Sequence, residues 1–333
     1  MTRVKKILND PADIVSEVLD GIVRLAEDDL VRVAGAQVLH RRRIPEGKVA
    51  LVIGGGAGHE PMYSAFVGEG LADASVSGAV FAAPPPDQIL LATRAAHRGA
   101  GVLYVYGNYA GDNMNFDMAA ELAAEEGIET RTVRVADDIA TADPAERRGI
   151  AGAFYQVKVA GFACATCRDL AEAARLVERC RDNLRSLGVA VRAGSLPETG
   201  EPTFELGEDE IEIGMGVHGE RGVERRKLMP ADDLVEEMVR RLLADLPFSR
   251  GDEIAVLIDN LGATTWTELM IVNRRMRQLL DDAGIRVRRT DVGAWMTSQE
   301  MAGFSLSFLR LDEELAAALA HPVRSPAYSQ GRG

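Results

Sequence analysis

Short apolar runs alternate with amphipathic stretches along nearly the whole of this chain. Runs with the length and composition of β-strands occupy 48–53, 101–106, 130–135, 189–192, 211–214, 253–258, 286–292 and 305–311. Stretches with a helical spacing of apolar positions occupy 11–25, 87–97, 114–126, 158–187, 231–246, 265–283 and 312–319, of which 158–187 forms either one helix or two. Alternation of this kind predicts an α/β protein in which sheets are flanked by helices.

A domain boundary is predicted where this alternation is interrupted. The helical stretch that ends near residue 187 leads into a strand and then into the turn-rich segment 194–202. A chain of 333 residues is long enough for two ordinary domains. We therefore predict two α/β domains with mixed sheets, an N-terminal one at 1–187 and a C-terminal one at 188–333.

Three glycine-rich loops follow predicted strands. They are 54–61 after the strand at 48–53, 107–116 after the strand at 101–106, and 214–220 after the strand at 211–214. Ligands of α/β proteins usually bind at loops beyond the strand ends, and glycine lets the backbone approach a ligand closely. These loops are therefore the predicted ligand site.

Side chains capable of acid, base or nucleophilic chemistry lie in each of these loops. His59 and His218 are two of the five histidines, and each stands beside glycine. A neutral imidazole can act as a nucleophile or a general base; the alternatives are a structural turn around His59 and an exposed loop histidine at position 218. Asp112 can accept the proton of a bound hydroxyl group, or it can simply cap the helix that follows.

The loop at 54–61 does not match the known nucleotide-binding motifs. A P-loop requires Gly-x-x-x-x-Gly-Lys-Ser/Thr, but position 59 is histidine, and Glu60 and Pro61 follow it. The dinucleotide fingerprint Gly-x-Gly-x-x-Gly fails because Gly58 comes one residue early. We therefore expect no nucleotide or other cofactor on this chain. The segment 259–265 ends a strand and opens a helix; it can support the pocket or a subunit contact, and we assign it no chemistry.

The overall charge excludes some functional classes. The formal net charge of −13 argues against a nucleic-acid surface and against binding to anionic membranes. The sequence has no apolar run of about eighteen residues and no apolar N-terminal leader, so we expect no membrane segment and a cytoplasmic location.

The three cysteines lie at positions 164, 167 and 180, and they give neither a disulfide framework nor a full zinc ligand set. We therefore expect these cysteines to be packing residues and expect no metal ion.

Four segments, in the same order, resemble the signature loops of the substrate-binding subunit of the dihydroxyacetone kinase family. They are Gly54-Gly55-Gly56-Ala57-Gly58-His59-Glu60-Pro61, Gly107-Asn108-Tyr109-Ala110-Gly111-Asp112, Gly214-Met215-Gly216-Val217-His218-Gly219-Glu220 and Asn260-Leu261-Gly262-Ala263-Thr264. The resemblance extends from about residue 5 to residue 328, and the four motifs together make it specific.

For His218, the resemblance implies a covalent hemiaminal with the carbonyl carbon of a short-chain ketose. It implies that His59 and Asp112 are the acid and base groups around the bound substrate. Backbone groups near three glycines are implied to bind the hydroxyl groups of the ketose, and these are Gly55, Gly56 and Gly107. The same resemblance implies two α/β domains and a homodimer.

In the family that these loops resemble, the nucleotide belongs to a different domain or subunit, a helical bundle that carries Mg-ADP or Mg-ATP. In some members the phosphoryl group comes ultimately from phosphoenolpyruvate, through a phosphotransferase protein. This chain has loops suited to a ketose and lacks a P-loop, so we expect it to need such a partner subunit and to be inactive alone.

The loops depart from the family pattern at three positions. Family members commonly have Lys-Asn-Tyr-Thr-Gly-Asp, whereas this chain has Gly107 and Ala110 in place of the lysine and the threonine. Ala57 stands where serine is common. Since a charge and two hydroxyl groups are missing, we hypothesise that the substrate is a larger ketose, such as erythrulose or another four-carbon sugar, and not dihydroxyacetone.

Two alternatives to a kinase subunit remain. Some relatives keep the covalent histidine, have lost the kinase role and act as ketose-sensing co-activators of a transcription factor. The presence of His59, Asp112 and His218 together favours the kinase, because a sensor needs only to capture the ketose. An unrelated α/β binding protein would require all four motif matches to be accidental.

Overall fold

Two six-stranded sheets, each in its own unit, organise the chain, of which a computed structural model describes residues 4–331. We call the first the N-terminal unit; it contains Lys6–Val135, Ala153–Arg181 and the segment from Leu315 onward. The C-terminal unit contains Ala136–Gly152 and Asp182–Glu314. Strands and helices flank one another in both units, which confirms the predicted mixed α/β class.

These units differ from the predicted division after residue 187, because the chain crosses between them more than once. Residues 136–152 belong to the C-terminal unit, where the Ser186 N–H donates to the Asp137 carbonyl at 2.8 Å. The last segment returns to the N-terminal unit, where the Arg324 N–H donates to the Glu69 carbonyl at 2.9 Å. Such long-range pairings leave no local pattern in the sequence, so a division at one point could not represent them.

The N-terminal sheet is mixed, with the strand order β1-β2-β4-β3-β5-β6. Its strands are β1 (Leu30–Arg32), β2 (Val38–Arg41), β3 (Ala50–Ala57), β4 (Ala74–Val80), β5 (Val102–Tyr106) and β6 (Thr130–Thr132). Four neighbouring strands of this sheet are parallel to one another, namely β4, β3, β5 and β6. Strand β2 pairs antiparallel with both β1 and β4. The helices of this part of the chain are α1 (Ile14–Leu25), α2 (Pro86–Ala96), α3 (Ala110–Glu125), α4 (Ala153–Thr166) and α5 (Leu170–Asp182).

Strand β3 is longer than predicted, since it runs through the first glycines of the loop instead of ending at residue 53. Its residues are almost all buried, as is usual for a parallel strand covered on both faces. A side chain at Gly54 would place its Cβ 2.6 Å from Cγ1 of Val76 on β4. Glycine therefore allows the strand to continue in close contact with its neighbour.

The C-terminal sheet is mostly antiparallel, with the strand order β11-β10-β12-β7-β8-β9. Its strands are β7 (Leu184–Arg192), β8 (Glu210–Ile213), β9 (Glu224–Lys227), β10 (Glu253–Asn260), β11 (Arg286–Gly293) and β12 (Ala302–Arg310). Only the β10–β11 pair is parallel among these strands. The remaining elements are α6 (Ala231–Asp245), α7 (Trp266–Ala283), α8 (Glu313–Ala320), β13 (Val323–Arg324) and β14 (Ser329–Gln330).

The predicted helix at 158–187 was wrong at its C-terminal end. This stretch forms α4, α5 and the first residues of β7. In β7, Leu184 lies opposite Leu309 and Leu187 lies opposite Leu306 of β12. The three-residue spacing of these leucines suits a helix as well as a buried strand, and the pairing with β12, more than a hundred residues away, decides between them.

The two faces of the C-terminal sheet differ in character. One face carries large apolar side chains that pack against α6 and α7, among them Leu187, Val256 and Phe308. Because side chains alternate along a strand, the register places the small and polar residues of β7, β10 and β12 on the opposite face. We call this the polar face, and it comprises Ser186, Gly188, Asp259, Ser305 and Ser307.

The helices differ in how much of their surface is buried: α4 is buried along most of its length, whereas α1 buries only Val15 and Leu19. Within residues 4–331, no helix combines the length and the apolar composition that crossing a lipid bilayer requires.

Cys164 is buried in α4, and burial raises the pKa of its thiol to about 12. Cys167 lies just after the last residue of α4, one turn beyond Cys164, and Cys180 is buried in α5.

Candidate functional site

Two of the predicted loops meet at one end of the N-terminal sheet. Strands β3 and β5 are parallel neighbours, with Gly54 opposite Tyr106, so the loops that follow them emerge side by side. The structure thus brings Gly55, Gly56 and His59 to the same sheet edge as Gly107 and Asp112. This is the edge at which ligands bind in α/β sheets.

Tyr63 links these two loops, although no motif in the sequence singles it out. A Cβ on Gly55 would lie 2.6 Å from the Tyr63 ring, and a Cβ on Gly107 would lie 3.5 Å from the Tyr63 hydroxyl oxygen. The Tyr63 ring therefore fills the space that a side chain at Gly55 would need, and its hydroxyl group reaches contact distance of Gly107. The absence of a Cβ at Gly55 is therefore a packing requirement.

His59 is held firmly in its loop. The residue is 1% exposed, and its ring lies 5.1 Å from the ring of Phe81, centroid to centroid. Gly58 has a φ of 101°, a left-handed conformation that favours glycine. The Gly58 N–H donates to the Glu60 carboxylate at 3.0 Å. Burial raises the pKa of Glu60, and this N–H donor acts in the opposite direction.

Asp112 lies in the first turn of α3 and not at its cap. The helix begins at Ala110, so it starts four residues before the predicted residue 114, and its N-cap residue is Tyr109. The carboxylate is 8% exposed and stands near the positive end of the helix dipole. The alternative prediction, that Asp112 is the N-cap of the helix, is therefore wrong. The helix N-terminus stabilises the ionised carboxylate, which is the form that accepts a proton.

His218 lies in the C-terminal unit, in the loop between β8 and β9. Its Nδ1 is 2.8 Å from Oε1 of Glu220, and its backbone N–H donates to Oε2 of the same carboxylate at 2.9 Å. Burial would raise the pKa of Glu220, but the hydrogen bond and the charge of His218 outweigh it and hold this pKa at about 2. An ionised carboxylate can only accept hydrogen bonds, so Nδ1 carries the hydrogen.

This hydrogen bond determines what the ring can do. In the neutral imidazole the hydrogen is on Nδ1, and the lone pair is therefore on Nε2. The side chain is 24% exposed, so the ring is accessible to a small molecule. A base that is oriented by a carboxylate in this way is a common arrangement for a nucleophilic or general-base histidine.

Arg148 supports the His218 loop from the segment 136–152. Its Nη2 donates to the Gly214 carbonyl at 2.9 Å, and its Nε donates to Oδ2 of Asp138 at 2.9 Å. Asp138 is fully buried, and burial raises its pKa to about 6 despite the nearby guanidinium. Neither Arg148 nor Asp138 stands out in the sequence, because they are remote in sequence from the loop they hold.

Asp259, near the end of β10, is a buried carboxyl group on the polar face. Its Oδ1 accepts hydrogen bonds from the N–H groups of Trp295 at 2.7 Å and Met296 at 3.2 Å. Burial raises its pKa to about 8, against the opposing effect of these two donors. The group is therefore protonated in the folded protein at neutral pH, whereas it is ionised in the unfolded chain.

We expect Asp259 to make stability depend on pH. Because its folded pKa is raised, its contribution is fully present below about pH 4 and is lost as the pH rises to about 8, on the order of 1.4 kcal/mol for each unit of pKa shift. Asp259→Asn should remove this decline. Chemical denaturation at pH 5 to 9 measures it, with the exposed Asp281→Asn on α7 as the control. Parallel curves for wild type and Asp259→Asn would disprove the assignment.

Comparison with known proteins identifies the family. Residues 20–327 match the family model described as the Dak1 domain. The chain belongs to the Dak1 family. It is 42% identical to the dihydroxyacetone-binding subunit DhaK of a PTS-dependent dihydroxyacetone kinase from Listeria innocua, over 93% of this chain and 95% of that protein. It is 40% identical to a D-erythrulose kinase from Mycolicibacterium smegmatis, over 98% of this chain but only 57% of that longer protein.

Two solved structures have the same fold as this chain. The dihydroxyacetone kinase from C. freundii, in complex with AMP-PNP and Mg²⁺, superposes with a TM-score of 0.91 at 33% identity, over 98% of this chain and 61% of that one. The dihydroxyacetone kinase operon co-activator Dha-DhaQ superposes with a TM-score of 0.90 at 29% identity, over 97% of this chain and all of that one. The similarity of fold therefore includes both kinases and a co-activator.

The candidate side chains of this Dak1-family chain are two imidazoles and a carboxyl group in glycine-rich loops. Among the residues that the structure describes, no three His, Cys, Asp or Glu side chains are grouped as a metal ion would require. What the sequence missed are the residues that hold these groups in place, namely Tyr63, Phe81, Arg148 and the carboxylate of Glu220.

Proposed function

We propose that this chain is the ketose-binding subunit of a dihydroxyacetone-type kinase. The observation that carries this proposal is the contact between His218 Nδ1 and Glu220, which places the hydrogen on Nδ1 and the lone pair on Nε2 of a partly exposed ring. The relative from Listeria innocua, described as a dihydroxyacetone-binding subunit, covers almost the same length as this chain and supports it.

In the proposed reaction, Nε2 of His218 attacks the carbonyl carbon of the ketose. The new N–C bond forms as the C=O π bond breaks, and the carbonyl oxygen takes up a proton to become a hydroxyl group. The ring becomes positively charged during the attack, and the Glu220 carboxylate stabilises that charge until the Nδ1 proton passes through this carboxylate to the solvent. The product is a neutral hemiaminal. A polyol such as glycerol offers no carbonyl carbon and cannot form it.

His59 and Asp112 are the proposed acid and base groups for the bound substrate. One of them protonates the carbonyl oxygen during capture, and the other accepts the proton of the terminal hydroxyl as its oxygen attacks phosphorus. Backbone groups near Gly55, Gly56 and Gly107 bind the remaining hydroxyl groups. Covalent capture fixes the terminal hydroxyl, and positioning dominates catalysis of phosphoryl transfer.

The phosphoryl donor is proposed to lie on a separate helical subunit that carries Mg-ATP or Mg-ADP. The C. freundii kinase and the D-erythrulose kinase both extend well beyond the length that this chain covers, and the former was solved with AMP-PNP and Mg²⁺. The Listeria relative is PTS-dependent, so a phosphotransferase protein is the alternative ultimate donor. We further propose a homodimer in the cytoplasm that is inactive without this partner.

We propose a four-carbon ketose such as erythrulose as the preferred substrate, with dihydroxyacetone as the alternative. The ring of Tyr109 lies over Gly107, 3.0 Å from the position of a Cβ there, so the space left by the missing lysine is partly filled. The hypothesis therefore depends mainly on the lost charge and hydroxyl groups at positions 57, 107 and 110. The erythrulose kinase among the relatives supports it.

A ketose panel tests this function. Phosphorylation is measured with the cognate nucleotide-bearing subunit and Mg-ATP, for dihydroxyacetone, both erythrulose enantiomers and glycerol. We expect turnover of ketoses alone, with a higher kcat/KM for erythrulose. A clear preference for dihydroxyacetone would end the four-carbon hypothesis, and equal turnover of glycerol would contradict covalent capture.

Glu220→Gln is expected to slow ketose capture roughly tenfold, because the amide oxygen keeps the hydrogen bond to Nδ1 but loses the charge that stabilises the ring during attack. The rate constant for adduct formation, measured by NMR with carbonyl-labelled dihydroxyacetone, is the readout. Glu224→Gln on β9 is the control, since that carboxylate pairs with Arg226 and does not contact His218. An unchanged constant in Glu220→Gln would remove Glu220 from the mechanism.

A second candidate function is a ketose-sensing co-regulator of transcription. The observation that favours it is the match to the co-activator Dha-DhaQ, which covers all of that protein. A sensor and a kinase subunit both capture the ketose, so capture does not separate them. Turnover with a nucleotide-bearing subunit favours the kinase; ketose-dependent binding to a transcription factor without any turnover favours the sensor.

A further inference from the structure

The loop that carries His218 is held by a hydrogen bond from a turn at residues 295–299. The hydroxyl group of Ser298, which is fully buried, donates a hydrogen bond to the carbonyl oxygen of Val217. Val217 is itself buried and immediately precedes His218. The contact joins positions 81 residues apart in the sequence, so it fixes the His218 loop to a separate part of the same unit.

Hydrogen bonds from the segment 259–264 fix the position of the turn at residues 295–299. The Ser298 N–H donates to the Leu261 carbonyl at 2.9 Å, and Asp259 accepts the N–H groups of Trp295 and Met296. A side chain at Gly262 would overlap the Gln299 carbonyl, so glycine is needed for this approach.

The segment 259–264 is rigid in its own right. Oδ1 of Asn260 accepts the N–H groups of Gly262 at 2.9 Å and Thr264 at 3.0 Å, and its Nδ2 donates to the Thr264 carbonyl at 2.7 Å. The Thr264 hydroxyl in turn donates to the carbonyl of Gly303, just beyond the turn. One side chain thus closes the loop on itself, and the loop then holds the turn that carries Ser298.

We propose that Ser298 is a positioning residue for His218, and that the segment 259–264 exists to place it. A buried carbonyl that loses its donor is costly, so without Ser298 the Val217 peptide would rotate or move to find another partner. Either movement shifts the His218 ring relative to Glu220. The inference depends on the proposed ketose capture for its functional consequence, but not for its structural one.

Ser298→Ala tests the proposal against a matched control. Ser307→Ala removes a hydroxyl that is equally buried on the polar face, where it pairs with Ser186 at 2.7 Å and does not contact the His218 loop. We expect Ser298→Ala to weaken the adduct with carbonyl-labelled dihydroxyacetone about tenfold or more, and Ser307→Ala to leave it within about twofold of wild type. Ser298→Thr, which restores a hydroxyl group, should recover part of the loss.

A second readout does not need the ketose. In ¹⁵N-histidine-labelled protein without ligand, the Nδ1–H of His218 should exchange faster with solvent in Ser298→Ala than in wild type or Ser307→Ala. Equal losses of adduct in the two alanine variants, or an unaltered Nδ1–H signal, would overturn the positioning role. If wild type forms no adduct, the proposed function fails, and the NMR signal still decides whether Ser298 positions the ring.

Discussion

Replacing His218 with alanine is expected to abolish ketose capture completely. The alanine variant lacks the imidazole nitrogen that bonds to the carbonyl carbon. It also lacks the ring that Glu220 orients for this attack. Titration with carbonyl-labelled dihydroxyacetone and with erythrulose should give no adduct signal at any concentration. Phosphorylation with the nucleotide-bearing subunit should fall to background, because an untethered ketose loses the positioning that supplies much of the rate.

His97→Ala is the matched control for this substitution. His97 ends α2 in the N-terminal unit and belongs to none of the glycine loops. The control should keep both the adduct and the turnover of wild type. An adduct that survives in His218→Ala would place the covalent bond on another residue and refute the role proposed for this histidine.

The next largest effects are expected for His59 and Asp112, and they differ in kind. His59→Ala and Asp112→Ala should still bind the ketose, since the nucleophile is intact, but should lose roughly two to four orders of magnitude in turnover. The loss reflects the missing acid and base for proton transfer. Adduct NMR and steady-state phosphorylation, measured on the same preparations, separate the two steps.

Asp117→Ala controls for charge removal on the same helix as Asp112. Asp117 is exposed and pairs with Arg134 at 3.2 Å, away from the loops. Its removal should leave turnover within about twofold of wild type. If Asp112→Ala and Asp117→Ala lose the same small amount of activity, Asp112 is a helix-terminus residue and not a base.

The sequence located the candidate side chains because each follows a strand. His59, Asp112 and His218 come after β3, β5 and β8, and glycines beside them leave the backbone open. The α/β class was equally accessible, since strand and helix periodicities alternate along the chain. These features are local, so a sequence pattern carries them.

The parts that the sequence did not provide depend on contacts between distant segments. Arg148 reaches the Gly214 carbonyl from 66 residues away, and Ser298 reaches Val217 from 81 residues away. The division into units failed for the same reason, because residues 136–152 pair with β7 and not with the elements beside them in sequence. The C-terminal end of the predicted helix at 158–187 failed because only the pairing of β7 with β12 reveals a strand there.

Glu220 is an intermediate case. It belongs to the quoted loop motif, but its function became clear only from the two hydrogen bonds to His218, one to the ring and one to the backbone. A glutamate two residues after a histidine is an unremarkable pattern, since many loop conformations would point the two side chains apart. The tight turn at Gly216 and Gly219 brings them together, with the Gly219 N–H bonded to the Gly216 carbonyl at 3.1 Å.

Direct observation of the bond at His218 tests the account at its centre. Wild-type protein labelled with ¹⁵N-histidine is mixed with dihydroxyacetone carrying ¹³C at the carbonyl carbon, and the two nuclei are observed together by NMR. We predict a tetrahedral carbon signal coupled to one imidazole nitrogen, Nε2 of His218, and absent with labelled glycerol. If protein saturated with the ketose gives only the signals of the free ketone and its hydrate, with no carbon–nitrogen coupling, covalent capture is contradicted.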